Sequence, residues 1–148
     1  MSGWVAFEAA VVPLEWGRAT YTVLPLPNAV MAALGHPKRV EGKIADHPIE
    51  AAPARAPVIE GAFLWTGKAL LREIGIAPGD VVKVRLRPAD PDRVDVPPDV
   101  AAAIRAAGRT EAWAATTPGR RRAALHAVAD AKRADTRTRR IAALVAAL

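Results

Sequence analysis

The stretch Gly75-Ile76-Ala77-Pro78-Gly79-Asp80-Val81-Val82-Lys83-Val84-Arg85-Leu86 constrains the fold more than any other part of this chain. Pro78 fixes φ at the first central position of a tight turn. Gly79 supplies the positive φ that a type II turn demands at the next, so the chain reverses at Ala77-Pro78-Gly79-Asp80. Beyond the turn, Val82, Val84 and Leu86 alternate with Lys83, Arg85 and Arg87, the period-two pattern of a strand with one buried and one wet face. Ahead of it, Leu70, Leu71 and Ile74 fall on one side of a short helix that Gly75 terminates.

The segments before this corner have the same character. Val5, Phe7, Ala9 and Val11 alternate into a strand closed by Pro13, and a turn through Glu15-Trp16-Gly17-Arg18 leads back into a strand over Ala19 to Leu24. Asn28 is placed to cap a helix over Ala29 to Leu34 that Gly35 ends, and Arg39 to Ile44 reads as extended. Ala51 to Pro57 reads as loop or edge, because Pro53 and Pro57 cannot donate to a ladder. An internal echo links the two halves. Laying Leu34-Gly35 over Ile74-Gly75 places Tyr21 to Leu24 over Gly61 to Leu64, and two extra residues in the second corner bring Val40 and Ile44 over Val82 and Leu86. Each half reads strand, short helix, corner, strand, and such halves can interleave to close a small barrel without exposed edges.

After Asp90 the reading changes. Arg93 to Val96 suggests a short strand, and Pro97-Pro98-Asp99 opens a helix with Val100, Ala103, Ile104 and Ala107 in a stripe. Thr117 with Pro118 begins another helix. Leu125 and Val128 would face nearly opposite to Ile141, Leu144, Val145 and Leu148 on one continuous helix, so a break is expected, with Asp135-Thr136 as the second cap. The expected fold is therefore mainly β with α: a small closed β-barrel of two strand-helix-strand halves over residues 1–97, with a helical extension over 98–148 packed on it.

Charge marks the same division. The net charge is +6. Residues 1–117 hold 13 Lys and Arg against 13 Asp and Glu, whereas residues 118–148 hold 8 against 2, so the whole excess is C-terminal. The absence of cysteine excludes disulfides, thiolate catalysis and cysteine zinc sites. His36, His47 and His126 are too scattered for a metal cluster, and no cofactor is expected. Glu8 interrupts the apolar run at the N-terminus before a signal-peptide core forms, and a cytoplasmic location is expected.

Two resemblances follow from particular motifs. Residues 4–88 resemble the domain-of-unknown-function 1905 family of small barrels, through the strand ending in Leu24-Pro25, the segment Arg39-Val40-Glu41-Gly42-Lys43-Ile44, and the corner from Arg72-Glu73-Ile74-Gly75 to Gly79-Asp80. Asp92 to Leu148 resembles the YdeI/OmpD-associated segment, through Val96-Pro97-Pro98-Asp99, Ala131-Lys132 and Thr136-Arg137-Thr138-Arg139-Arg140-Ile141. Between Thr110 and Val128 the chain departs from that family, with Trp113 followed by alanines in place of further aromatics. These resemblances imply a closed barrel and, by family name, a stress or bacteriocin and antimicrobial-peptide protection role, with no catalytic residues to carry over. The helix followed by a Pro-Gly-Asp corner is also similar to the swapped-hairpin regulators related to AbrB, which implies DNA binding.

Three functions are consistent with these residues. The first is a non-enzymatic binding module that meets nucleic acid or another polyanion through Arg120, Arg121, Arg122, Lys132, Arg133, Arg139 and Arg140, since phosphate contacts need clustered cations; the bland alternative is a solvated helix face. In this reading Gly35, Gly75, Pro78, Gly79 and Asp80 are folding devices. Arg137 is structural, because its stem falls on the apolar stripe and needs Asp95, Asp99 or Asp130 as acceptor. The second is the protection role, through a protein or peptide partner. The third is an enzyme, for which Asp46 and His47 with Glu50 and His36, or Glu8, Glu15, Glu41 and Glu60, are weak candidates, and no serine follows Ser2 to act as a nucleophile. Trp4, Trp16, Trp65 and Trp113 are assigned to packing ahead of ligand stacking.

Overall fold

A computed structural model describes residues 3–148, so Met1 and Ser2 lie outside the described residues. The chain divides into two compact units, one running through Pro91 and the other from Asp92 to Leu148.

The first unit is built from β1 (Val5–Ala10), β2 (Val12–Trp16), β3 (Ala19–Leu26), α1 (Asn28–Leu34), β4 (Val40–Ile44), β5 (His47–Ala51), β6 (Ala54–Ala56), β7 (Ile59–Trp65), α2 (Gly67–Ile74) and β8 (Val81–Pro88). Its strands form two antiparallel sheets, in the orders β1-β8-β4-β5 and β2-β3-β7-β6. The corner at Pro78-Gly79 ties them together. Gly79 has φ +98°, and Asp80 N donates to Ala77 O at 3.0 Å, as a type II turn requires. Gly79 N then donates to Val11 O at 2.6 Å, and Val11 N to Asp80 O at 3.1 Å. Val11 is the single residue between β1 and β2, so the corner pins the point where the chain passes from one sheet to the other.

The expected closed barrel is corrected: neither sheet closes. Among the described residues β5 and β6 do not pair, and each sheet keeps two edges. Prolines stand in two of these edges. Pro48 sits in edge strand β5 and Pro13 in edge strand β2, where each lacks an N–H to offer a further strand. β6 is only three residues long and its register with β7 shifts between Ala54 and Ala56. Pro13 thus lies within a strand instead of closing one.

The internal echo has a structural counterpart. Leu24 lies opposite Leu64 in the β3–β7 pair, and Lys43 lies opposite Arg85 in the β4–β8 pair. In both cases the partners are the residues that the echo makes equivalent, as expected for positions beside a twofold axis relating the halves. α1 and α2 both end on a left-handed glycine, Gly35 at φ +80° and Gly75 at φ +82°. Asn28 does not cap α1, because Pro27 occupies the cap position and Asn28 is already helical.

The main core, with Val11, Leu24, Leu26, Val40, Ile44, Leu64, Val84 and Leu86 at its centre, draws on both sheets and both helices. A smaller cluster of Leu14, Val23, Ala56 and Phe63 lies within the second sheet. Consequently Val82, Val84 and Leu86 are buried while Lys83, Arg85 and Arg87 are exposed, in the alternation that period two dictates.

The second unit is helical: α3 (Pro98–Ala106), α4 (Thr110–Ala115), α5 (Pro118–Ala129) and α6 (Ala134–Ala146). The strand expected at Arg93 to Val96 is absent there, and that segment leads into α3 without a ladder partner. The expected break falls between α5 and α6. It lets Leu125 and Val128 of α5 meet Ile141, Leu144 and Val145 of α6, with Leu148 just beyond it, in one cluster with Val100 and Ile104. The α6 cap is Arg133, so Asp135 takes a first-turn position where its charge complements the helix dipole.

Candidate functional site

The basic residues of the helical unit are the functional candidates named by the sequence, and local structure decides where each one goes. Thr117 caps α5, its Oγ1 accepting from Arg120 N at 3.4 Å, with Pro118 at the first helical position. Arg120, Arg121 and Arg122 therefore sit on consecutive helical positions about 100° apart and point in different directions. Arg121 Nε donates to Thr116 O at 2.9 Å, and Arg122 Nη2 donates to Arg93 O at 3.0 Å. Arg120 has no side-chain partner among the described residues.

On the second helix the arginines also separate. Arg133 grips Asp135 through Nε at 3.2 Å and Nη2 at 2.8 Å. Arg137 grips Asp99 of α3 through Nε at 2.8 Å and Nη2 at 3.0 Å, so of the three acceptors considered the fold selects Asp99. These forked contacts leave their mark on protonation. Arg137 holds the Asp99 carboxyl below its ordinary value, with help from the Val100 N–H, and Asp99 in turn raises the Arg137 guanidinium. Arg133 and the Thr136 N–H lower Asp135 in the same way.

Arg140, one of the polyanion-contact candidates, donates from Nη1 to Ala127 O at 2.8 Å. Ala127 lies in the last turn of α5, where carbonyls lack an intrahelical donor, so Arg140 acts as a clasp across the α5–α6 break. A carbonyl fixes a guanidinium without neutralising it, and the charge remains available to an anion. Arg139 reaches only Thr136 Oγ1, at 3.5 Å. Lys132, exposed between the helices, makes no side-chain contact of this kind among the described residues.

Of the enzymatic candidates, Glu41 and Glu50 stand opposite each other on β4 and β5, and each has a basic partner. His47 Nε2 lies 3.7 Å from Glu73, Glu50 pairs with Arg39 at 3.7 Å, and Glu41 pairs with Arg87 at 3.6 Å. His36 and Asp46 hold left-handed turn positions, at φ +51° and +69°. Among the described residues no group of three His, Asp or Glu side chains is placed to hold a metal ion. No helix among them is long and apolar enough to cross a membrane.

The tryptophans divide. Trp113 packs into the helical cluster. Trp4 lies under two guanidiniums, Arg85 at 4.7 Å and Arg87 at 4.4 Å from its ring centroid. Trp16 and Trp65 are 40% and 43% exposed, with their rings parallel at 6.5 Å and Tyr21 edge-on to Trp65 at 5.3 Å. Two of the four are therefore only partly committed to packing.

Residues missed by sequence reasoning lie on the outer face of the first sheet. Lys43, Lys83 and Arg85 surround an open depression of about 780 Å³ floored in part by Ala6 and Ala45. Period-two alternation gave each its wet face, but only strand register brings Lys43 opposite Arg85.

Comparison with known proteins bears on the helical unit. Residues 93–148 match the family described as bacteriocin-protection, YdeI or OmpD-associated. This supports the second of the two resemblances and does not reach the first. Among curated proteins, none matches the chain.

Proposed function

We propose that this protein is a binding module, not an enzyme, and that its helical unit engages an anionic macromolecule. One observation carries the reading. Residues 92–148 hold 11 Lys and Arg against 6 Asp and Glu, and of the eight cations beyond Pro118, five (Arg120, Arg121, Lys132, Arg139 and Arg140) have no carboxylate partner among the described residues. Arg121 and Arg140 are held in place by main-chain carbonyls, so their charges are positioned without being cancelled. DNA as the partner is favoured by the interleaved halves of the sheet unit, whose equivalent residues pair as they would between two swapped hairpins.

If five cations each neutralise one phosphate, log K for duplex DNA falls with log salt at a slope of about −4.5. The triple variant Arg120→Gln, Lys132→Gln, Arg139→Gln removes three charges that brace no main-chain group, and the slope then becomes shallower by about 3. Titration of labelled DNA across a salt series measures both. A full-length protein that does not bind at low salt, or a triple variant with an unaltered slope, rejects the proposal.

A second reading rests on the family match: protection against bacteriocins, with the helical unit as the contact surface. Its test is survival of cells expressing the protein under bacteriocin challenge. A triple variant that still protects but no longer binds DNA would separate the two readings in favour of protection.

A further inference from the structure

We infer that the outer face of the sheet β1-β8-β4-β5 binds a small phosphomonoester carrying hydroxyl groups, with its phosphoryl oxygens on Lys43 and Arg85. The argument begins with a cost that the fold accepts. Lys43 and Arg85 are directly opposite on neighbouring strands and both exposed, and like charges in that relation destabilise a sheet. The neighbouring acids have other cations as their nearest partners: Glu41 lies 3.6 Å from Arg87 and Glu50 3.7 Å from Arg39. Among the described residues Lys43, Lys83 and Arg85 have no carboxylate within ion-pair distance. A dianionic phosphoryl group placed between Lys43 and Arg85 converts the repulsion into two charge-assisted contacts.

The surroundings give that anion a seat. Ala6 lies opposite Arg85 on the other side, and its short side chain leaves the strand row open to solvent as a depression of about 780 Å³, within the range of small-molecule sites. Arg85 is held over Trp4 at 4.7 Å, which restrains the guanidinium before a ligand arrives. Three cations and two acids, Glu8 and Asp46, line the depression. That balance argues against a long polyanion, which Glu8 and Asp46 would repel. It suits one phosphoryl group on a neutral polyol, whose hydroxyls can donate to the two carboxylates.

The experiment uses the intact chain and thermal melts at matched ionic strength with ribose 5-phosphate, inorganic phosphate and ribose. The wild-type melting temperature should rise most with ribose 5-phosphate, less with inorganic phosphate, and stay unchanged with ribose. Lys43→Met should raise the melting temperature of the free protein, because it removes one half of a repulsive pair, and should abolish the rise with ribose 5-phosphate. Arg85→Met should abolish the ligand response in the same way. A wild type insensitive to ribose 5-phosphate overturns the inference, as does a Lys43→Met protein that keeps the response. An equal rise with inorganic phosphate overturns the role given to Glu8 and Asp46.

Discussion

Gly42 is the position where a single added methyl group should do most damage. It lies in β4 opposite Leu86, at φ +156°, and a Cβ built there would stand 1.8 Å from Arg85 O, 2.8 Å from Arg85 C and 3.0 Å from Leu86 Cα. These are main-chain atoms of a central strand and cannot swing aside. To make room, β4 must move by more than an ångström, which breaks local ladder bonds worth about 1 kcal/mol each. A residue other than glycine held at this φ adds roughly 1–3 kcal/mol of backbone strain. Together Gly42→Ala should cost about 3–5 kcal/mol, a large part of the stability of a domain this size. Gly79→Ala is the control. Gly79 also has positive φ, at +98°, but a Cβ there meets nothing within 4 Å, so only conformational strain of about 1 kcal/mol applies. Equilibrium unfolding in urea, followed by tryptophan fluorescence, gives both values. If Gly42→Ala is no worse than Gly79→Ala, the close approach of β4 to β8 is not what requires glycine there.

Two further outcomes follow from the packing and the ion pairs. Leu24→Ala and Leu64→Ala truncate equivalent, fully buried side chains that face each other across β3 and β7, so each should cost about 2–5 kcal/mol and the double variant should depart from their sum; denaturant melts that find one of them near neutral would refute the equivalence of the halves. Asp99 has its carboxyl lowered by Arg137, so its stabilising effect is complete above the ordinary aspartate range and fades as pH falls through the depressed folded value. Asp99→Asn should therefore melt below wild type at neutral pH, and the gap should close in acid; a gap independent of pH would mean that the carboxylate charge is not what matters.

The parts of this fold that sequence made legible are those decided by neighbouring residues. Pro78 and Gly79 set a turn because each restricts or frees its own φ, and Gly35 and Gly75 end helices for the same reason. The break between α5 and α6 was also readable, since one continuous helix would have sent Val128 and Leu144 to opposite sides, and both are in fact buried together. Closure of the sheets is a different kind of property. It depends on whether β5 and β6 meet, and alternation within each strand is the same whether its edge is paired or bare. Pro48 carried the relevant signal, because a proline marks an edge, but the echo between the halves pointed the other way and favoured a closed ring. Arg93 to Val96 shows the same limit: a short apolar alternation is compatible with a strand, and only a neighbour with free ladder groups makes it one.

Charged side chains were legible in proportion to how much of their environment lies on their own helix. Arg133 and Asp135 are two residues apart, whereas Arg137 reaches back 38 positions to Asp99, and Arg140 finds a carbonyl of the preceding helix. A count of charges places all of these arginines in one basic tail. The fold sorts them into ion pairs, carbonyl-held clasps and uncompensated cations, and only the last two classes keep a charge for a partner. The converse holds in the sheet unit, where the totals nearly balance and nothing draws attention to Lys43 or Arg85. Register supplies what composition lacks: it sets two cations face to face beside the axis that relates the halves, where a residue in one half meets its counterpart in the other. The pair, with Ala6 leaving the space beside it open, is what an anion site would require.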